Sequence, residues 1–117
     1  MKKTILIADD DPAILESIRL ILEEFGYTVD STSDGQTIDK MEKGFPDLLL
    51  LDIWMSGQDG REICKHLKKD VIKKAIPVIM ISASRDSKQS TIDAGADDFL
   101  AKPFEMDALL EKVAKWA

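Results

Sequence analysis

The chain has 117 residues, of which 44% are apolar and 32% charged, enough for one packed domain and too few for two. Lys plus Arg number 16 against 22 Asp plus Glu, a formal net charge of −6, which argues against a reader of nucleic-acid phosphates because that role needs a basic face. A single cysteine, Cys64, excludes an internal disulfide and a multi-cysteine zinc site, and a single histidine, His66, excludes a histidine-cluster metal site.

Short apolar runs alternate with longer amphipathic ones along the whole chain. Thr4–Ala8 is too short for a helix and reads as a strand buried on both faces. Asp11 as N-cap and Pro12 at the first helical position open a helix that Gly26 stops, with Ile14, Ile18, Leu22 and Phe25 near one face. Tyr27–Asp30 is a weaker strand, and Asp34–Lys43 a less apolar helix closed by Gly44. Leu48–Leu51 is a second buried strand, followed by a helix over Gly60–Lys69 that spaces Ile63 and Leu67 four apart. Val78–Ile81 is a third buried strand. Asp86–Ala94 has only Ile92 and Ala94 as apolar residues, so a helix there should be short or mobile. Phe99–Ala101 is a fifth strand, and Glu105–Trp116 a last helix with Met106, Leu109, Leu110 and Val113 on one stripe. The expected setting is cytoplasmic, without a membrane partner: the run Ile5–Ala8 stops at three aspartates, and no segment is long enough to cross a bilayer.

Strict alternation of strand and helix implies a doubly wound, mostly parallel α/β sheet with helices on both faces and right-handed crossovers. Ligands bind such sheets at the carboxyl ends of the strands. There the sequence places Asp9, Asp10 and Asp11 after the first strand, Asp52 after the third, Ser82 after the fourth and Lys102-Pro103 after the fifth. Each alone has a bland explanation. Asp11 is a helix cap, Asp52 a turn former, Ser82 a loop hydroxyl and Lys102 a surface lysine. Their coincidence at one edge has a chemical one. Asp9, Asp10 and Asp52 would repel one another unless a cation joined them, and oxygen ligands select Mg²⁺ first and Mn²⁺ second. A carboxylate in such a place can attack phosphorus, while a hydroxyl and an ammonium steady the transferred group.

The segments Ile5–Pro12, Pro46–Asp52, Met55–Gly60, Pro77–Ala83, Ala94–Phe99 and Lys102–Phe104 together resemble the receiver domain of two-component response regulators, over essentially the entire chain. The resemblance implies a flavodoxin-like fold with strand order 2-1-3-4-5, a single domain over residues 1–117 that either stands alone or belongs to a longer protein. It implies that Asp52 accepts a phosphoryl group from a phosphohistidine on a sensor histidine kinase or phosphotransfer protein. Asp10 and Asp52 would ligate Mg²⁺ directly, with the Trp54 carbonyl as a third ligand and Asp9 acting through water. Lys102 would pair with the phosphoryl group, Ser82 would swing toward it, and Phe99 would turn inward in response, changing the face offered to an output protein or domain. The Lys102–Pro103 bond would be cis. The domain would catalyse only its own phosphorylation and dephosphorylation.

Three departures stand out. Ser56 replaces the usual proline, Ser82 the commoner threonine, and Trp54 is bulkier than most residues at its position, where it is expected to shield an acyl phosphate from water. Trp54 also weakens the alternative reading, a Mg²⁺-dependent phosphohydrolase of the haloacid dehalogenase type, which needs an acid two residues past its nucleophile. His66, among Lys65, Lys68 and Lys69, reads as part of a solvated face, and these lysines with Lys73 and Lys74 as a solubilising patch. Cys64 reads as a packed helix residue, while Trp116 could be core or contact.

Overall fold

The computed structural model describes residues 2–55, 57–84 and 87–117. Five parallel strands, β1 (Thr4–Ala8), β2 (Thr28–Thr32), β3 (Leu48–Asp52), β6 (Val78–Ser82) and β7 (Asp98–Ala101), form one sheet in the order β2-β1-β3-β6-β7. Counting only the strands of this sheet, that is the expected 2-1-3-4-5 order. Helices α1 (Pro12–Glu24), α2 (Gly35–Asp39), α3 (Gly60–Lys69) and α4 (Lys88–Asp93) make the four crossovers, and α5 (Met106–Trp116) follows the last strand.

The two-residue period of a strand explains why the central strands are apolar throughout. Leu6, Ala8, Leu49, Leu51, Val78 and Met80 point to one side, where they meet Ile38 of α2 and Ile63, Cys64 and Leu67 of α3. Ile5, Ile7, Leu48, Leu50, Ile79 and Ile81 point to the other, against Ile18 and Leu22 of α1 and Leu109 and Val113 of α5. All four leucines of β3 are fully buried. Each contributes about 1.5–3 kcal/mol of transfer free energy, so the strand that carries Asp52 is firmly anchored.

Several boundaries differ from expectation. β2 begins one residue later and runs to Thr32, because it pairs with β1 over the whole of that strand, from Thr4 opposite Thr28 to Ala8 opposite Thr32. α2 ends at Asp39 rather than Lys43; Ile38 is its one buried large side chain, while Met41 and Phe45 reach the core from the irregular segment that follows. Phe25 and Met106, assigned to apolar stripes, are 60% and 50% exposed, since each sits at a helix end where the stripe leaves the core. A hairpin of β4 (Trp54–Met55) and β5 (Gln58–Asp59) occupies what reads in sequence as loop, with Gly57 at φ 76° in its turn, a conformation open to glycine without steric penalty. A 3₁₀ turn, Lys73–Ala75, was also not anticipated. The weak helix is present as the six residues of α4, with Thr91 and Ala94 as its buried contacts; Arg85 and Asp86 lie outside the described residues.

Candidate functional site

Because the sheet is parallel, the residues ending β1, β3, β6 and β7 share one rim. Asp52 and Ser82 are themselves the last residues of β3 and β6. Asp9 follows β1, and its N–H donates to the Thr32 carbonyl at 3.1 Å. Its carboxylate accepts the Asp11 N–H at 3.0 Å, while Asp11 in turn caps α1 by accepting the Ala13 N–H at 3.0 Å. The turn from strand to helix is thus built from two carboxylates, and only the second is a helix cap. Asp9 faces inward and is 2% exposed.

Lys102 follows β7, held by its N–H on the Ser82 carbonyl at 2.7 Å, and the Lys102–Pro103 bond is cis. Its ammonium lies 3.1 Å from Asp9 Oδ2 and 3.5 Å from Asp52 Oδ1. Asp10 sits at the exposed mouth, and one carboxylate oxygen each from Asp9, Asp10 and Asp52 lie within 4.8 Å of one another. Three carboxylates around one ammonium leave an excess of negative charge in a partly desolvated place. Convergent hard oxygen donors of this kind match a divalent cation such as Mg²⁺.

Asp52 registers the strain electrostatically. Burial first, then the Asp9 charge, push its carboxyl up to about 6 from the ordinary 3.8, against the downward pull of Lys102. A carboxyl raised on folding binds more protons in the folded state, so it stabilises fully below pH 3.8 and that contribution is lost as pH rises through about 6. In chelator-treated protein, the stability of the parent relative to Asp52→Asn should therefore fall by about 3 kcal/mol between pH 3.5 and 7. Urea unfolding of the two across that range measures the difference; parallel curves would refute the shift.

Ser82 is buried, and its Oγ accepts the Ser84 N–H at 3.0 Å. Phe99 is half-buried against the α2/α3 side of the core, opposite Met80 and two residues before Ala101, the partner of Ser82. Trp54 opens β4 two residues past Asp52, its indole 60% exposed. Asp9, Asp10, Asp52, Ser82 and Lys102 thus meet at the rim, Trp54 lies just beyond it, and Phe99 sits two residues inside it.

Other groups with structural roles escaped the sequence reading. Gly60, first residue of α3, packs on the main chain of Asp52 and Ile53 so closely that a Cβ would collide with the Asp52 carbonyl oxygen, and its N–H bonds the Ile53 carbonyl. The Asp-Gly pair at a helix start was the available signal. Asp98 gathers the Phe99 N–H, Lys112 Nζ and Trp116 Nε1, each at 2.8 Å, which assigns Trp116 to an internal bond. The lysine patch is partly structural, since Lys68 pairs with Asp97 at 2.8 Å and the buried Lys73 bonds the Asp39 carbonyl. His66 is exposed on α3. Cys64 is fully buried, and burial pushes its thiol up to about 11, leaving it inert.

A doubly wound α/β domain with acids and a lysine converging at the strand ends defines the class. The response regulator receiver domain family model matches residues 5–114. The response regulator MprA of Mycobacterium bovis is 38% identical over 97% of this chain, which covers 50% of that protein. The Thermotoga maritima response regulator TrrA, solved in complex with Mg²⁺-BeF, is 35% identical, with a TM-score of 0.87 over 100% of both chains. The receiver domain of a Pseudomonas aeruginosa sensor histidine kinase, solved with a magnesium ion coordinated in its active site cleft, is 26% identical, with a TM-score of 0.87 over 99% of this chain and 98% of that one. The chain belongs to the response regulator receiver domain family, the phosphoacceptor switches of two-component signalling. It spans about half the length of the curated relatives it matches. Among the described residues no helix is long and apolar enough to cross a membrane.

Proposed function

We propose that Asp52 is the phosphoacceptor, taking the phosphoryl group of a phosphohistidine on a histidine kinase or phosphotransfer protein. An Asp52 carboxylate oxygen forms a bond to phosphorus as the phosphorus–nitrogen bond breaks, and the electron pair returns to the imidazole. The observation that carries this reading is the convergence of Asp9, Asp10, Asp52 and Lys102 at one rim, with the Lys102 ammonium held between the two buried acids. Lys102 is placed to meet the new phosphoryl oxygens, exchanging part of its contact with Asp52 for a bond to them. Asp10, Asp52 and the Trp54 carbonyl would hold Mg²⁺, with Asp9 behind a water, and Mn²⁺ suits the same donors. The ion would neutralise the equatorial oxygens of the transferred group. Two relatives solved with magnesium support a magnesium ion as the occupant of this rim.

Phosphorylation adds roughly two negative charges and strong acceptor oxygens at the rim. Ser82 Oγ, released from Ser84, would donate to them, and Phe99 would fill the space it leaves, altering the surface of α4, β7 and α5 that an output protein or domain reads. The chain then catalyses only its own phosphorylation and dephosphorylation in the cytoplasm. Trp54 stands where the rival phosphohydrolase needs a second acid, and an indole cannot protonate a leaving group at neutral pH. The test is intact mass after exposure to acetyl phosphate with Mg²⁺: gain of one phosphoryl group is expected, and an unchanged mass overturns the reading.

The ion has its own test. Mg²⁺ at about 100 times its Kd should add about 2.7 kcal/mol to stability by mass action. Asp10 pushes the Asp52 carboxyl up, so Asp10→Asn should stabilise the metal-free protein while abolishing the magnesium response. Melting curves with Mg²⁺ and with chelator show both effects, and parent and variant equally unmoved by Mg²⁺ would exclude this donor set.

A further inference from the structure

Helix α4 is a short, thinly secured element of the fold. Thr91 and Ala94 are its buried contacts, and Ile92 is 47% exposed. Among the described residues, one side-chain hydrogen bond reaches it from another element: Arg61 Nη1 donates to Ser90 Oγ at 3.1 Å, and that hydroxyl donates onward to the Ser87 carbonyl at 2.8 Å. The rest of the Arg61 guanidinium is locked on Asp59, with Nε 2.9 Å from Oδ1 and Nη2 2.8 Å from Oδ2. Asp59 also caps α3 through the Arg61 N–H at 2.9 Å. A planar fork held twice on one carboxylate has little freedom, so its third N–H points where Asp59 directs it. Asp59 ends the hairpin that follows Asp52, and the next residue, Gly60, rests on the Asp52 main chain.

We infer that Arg61 is a positioning residue that tethers α4 to the segment carrying Asp52 and holds it in the resting arrangement, a route separate from Ser82 and Phe99. The inference rests on Asp52 being the phosphoacceptor. A phosphoryl group on Asp52 shifts the main chain under Gly60, turns the Asp59–Arg61 fork and withdraws the Nη1 donor from Ser90. Freeing α4 beforehand removes that restraint, so by linkage it strengthens binding of a phosphoryl mimic at Asp52.

Ser90→Ala and Arg61→Lys test this with Mg²⁺ and beryllofluoride as the probe. Neither residue belongs to the rim, and a lysine can pair with Asp59 or reach Ser90 but not both. Hydrogen exchange of amides 88–94 should quicken in Arg61→Lys, and both variants should bind beryllofluoride about five-fold more tightly than the parent. Faster exchange with unchanged or weaker affinity would make the bond purely structural and overturn the coupling. Unchanged exchange in both Ser90→Ala and Arg61→Lys would overturn the tether itself. A parent that does not bind beryllofluoride would instead refute the phosphoacceptor reading, and the coupling with it.

Discussion

Asp52→Asn should gain no phosphoryl group from acetyl phosphate under conditions in which the parent gains one. The amide oxygen carries no formal negative charge, so it is a far poorer nucleophile toward phosphorus than a carboxylate, and no acyl phosphate forms. The substitution keeps the size and shape of the side chain at the end of β3, where four buried leucines fix the backbone, so loss of uptake cannot be charged to misfolding. Folding offers an internal control in the opposite direction. Asp52 is ionised at neutral pH in spite of burial and the Asp9 charge, and a neutral amide escapes both penalties. The inactive variant should therefore unfold at higher urea concentration than the parent at pH 7 in chelator. Uptake of a phosphoryl group by Asp52→Asn would move the acceptor elsewhere, and a variant less stable than the parent would contradict the electrostatics of the rim. Intact mass and urea unfolding, run side by side, read the two outcomes separately.

Much of this was legible before any coordinates. The runs Thr4–Ala8, Leu48–Leu51 and Val78–Ile81 announce themselves because a strand buried on both faces is mostly apolar, and the first polar residue after each, Asp9, Asp52 or Ser82, marks the rim. Parallel topology then brings Asp9, Asp52, Ser82 and Lys102 together without further information. Contacts whose partners are distant in sequence left no such trace. Asp9 serving both the Asp11 N–H and the Lys102 ammonium joins residues 93 apart. Asp98 reads as an ordinary acid until Lys112 and Trp116, one helical turn apart on α5, reach it. The β4–β5 hairpin is too short to show a period, and Arg61 gives no hint of Ser90, which lies 29 residues away. Local pattern determines elements, and topology determines the rim. The side-chain ties that hold one element against another require both to be in place.

Lys102→Met should slow phosphoryl uptake by roughly 10²-fold without abolishing it, the scale on which losing one preorganised donor to a developing anion reduces rate. Methionine retains the stem of a side chain that is 19% exposed and removes only its ammonium. Without that charge nothing among the described side chains opposes Asp9 in raising the Asp52 carboxyl, so the acceptor moves further above 6 and a smaller fraction is nucleophilic near neutrality. The metal-free protein should also lose stability, because removing one partner of a buried ion pair leaves the other uncompensated, at about 3–5 kcal/mol when protonation cannot relieve it. Protonation can relieve it here. The deficit relative to the parent should be large at pH 7 and shrink toward pH 5, as Asp52 takes up the proton that stands in for the missing ammonium. Lys102→Arg, which keeps the charge but spreads it over a wider plane, should recover most of the stability and less of the rate. A time course of intact mass gives the rates, and urea unfolding at the two pH values gives the stabilities. A rate within two-fold of the parent would show that the ammonium serves the resting charge balance alone and takes no part in the transfer.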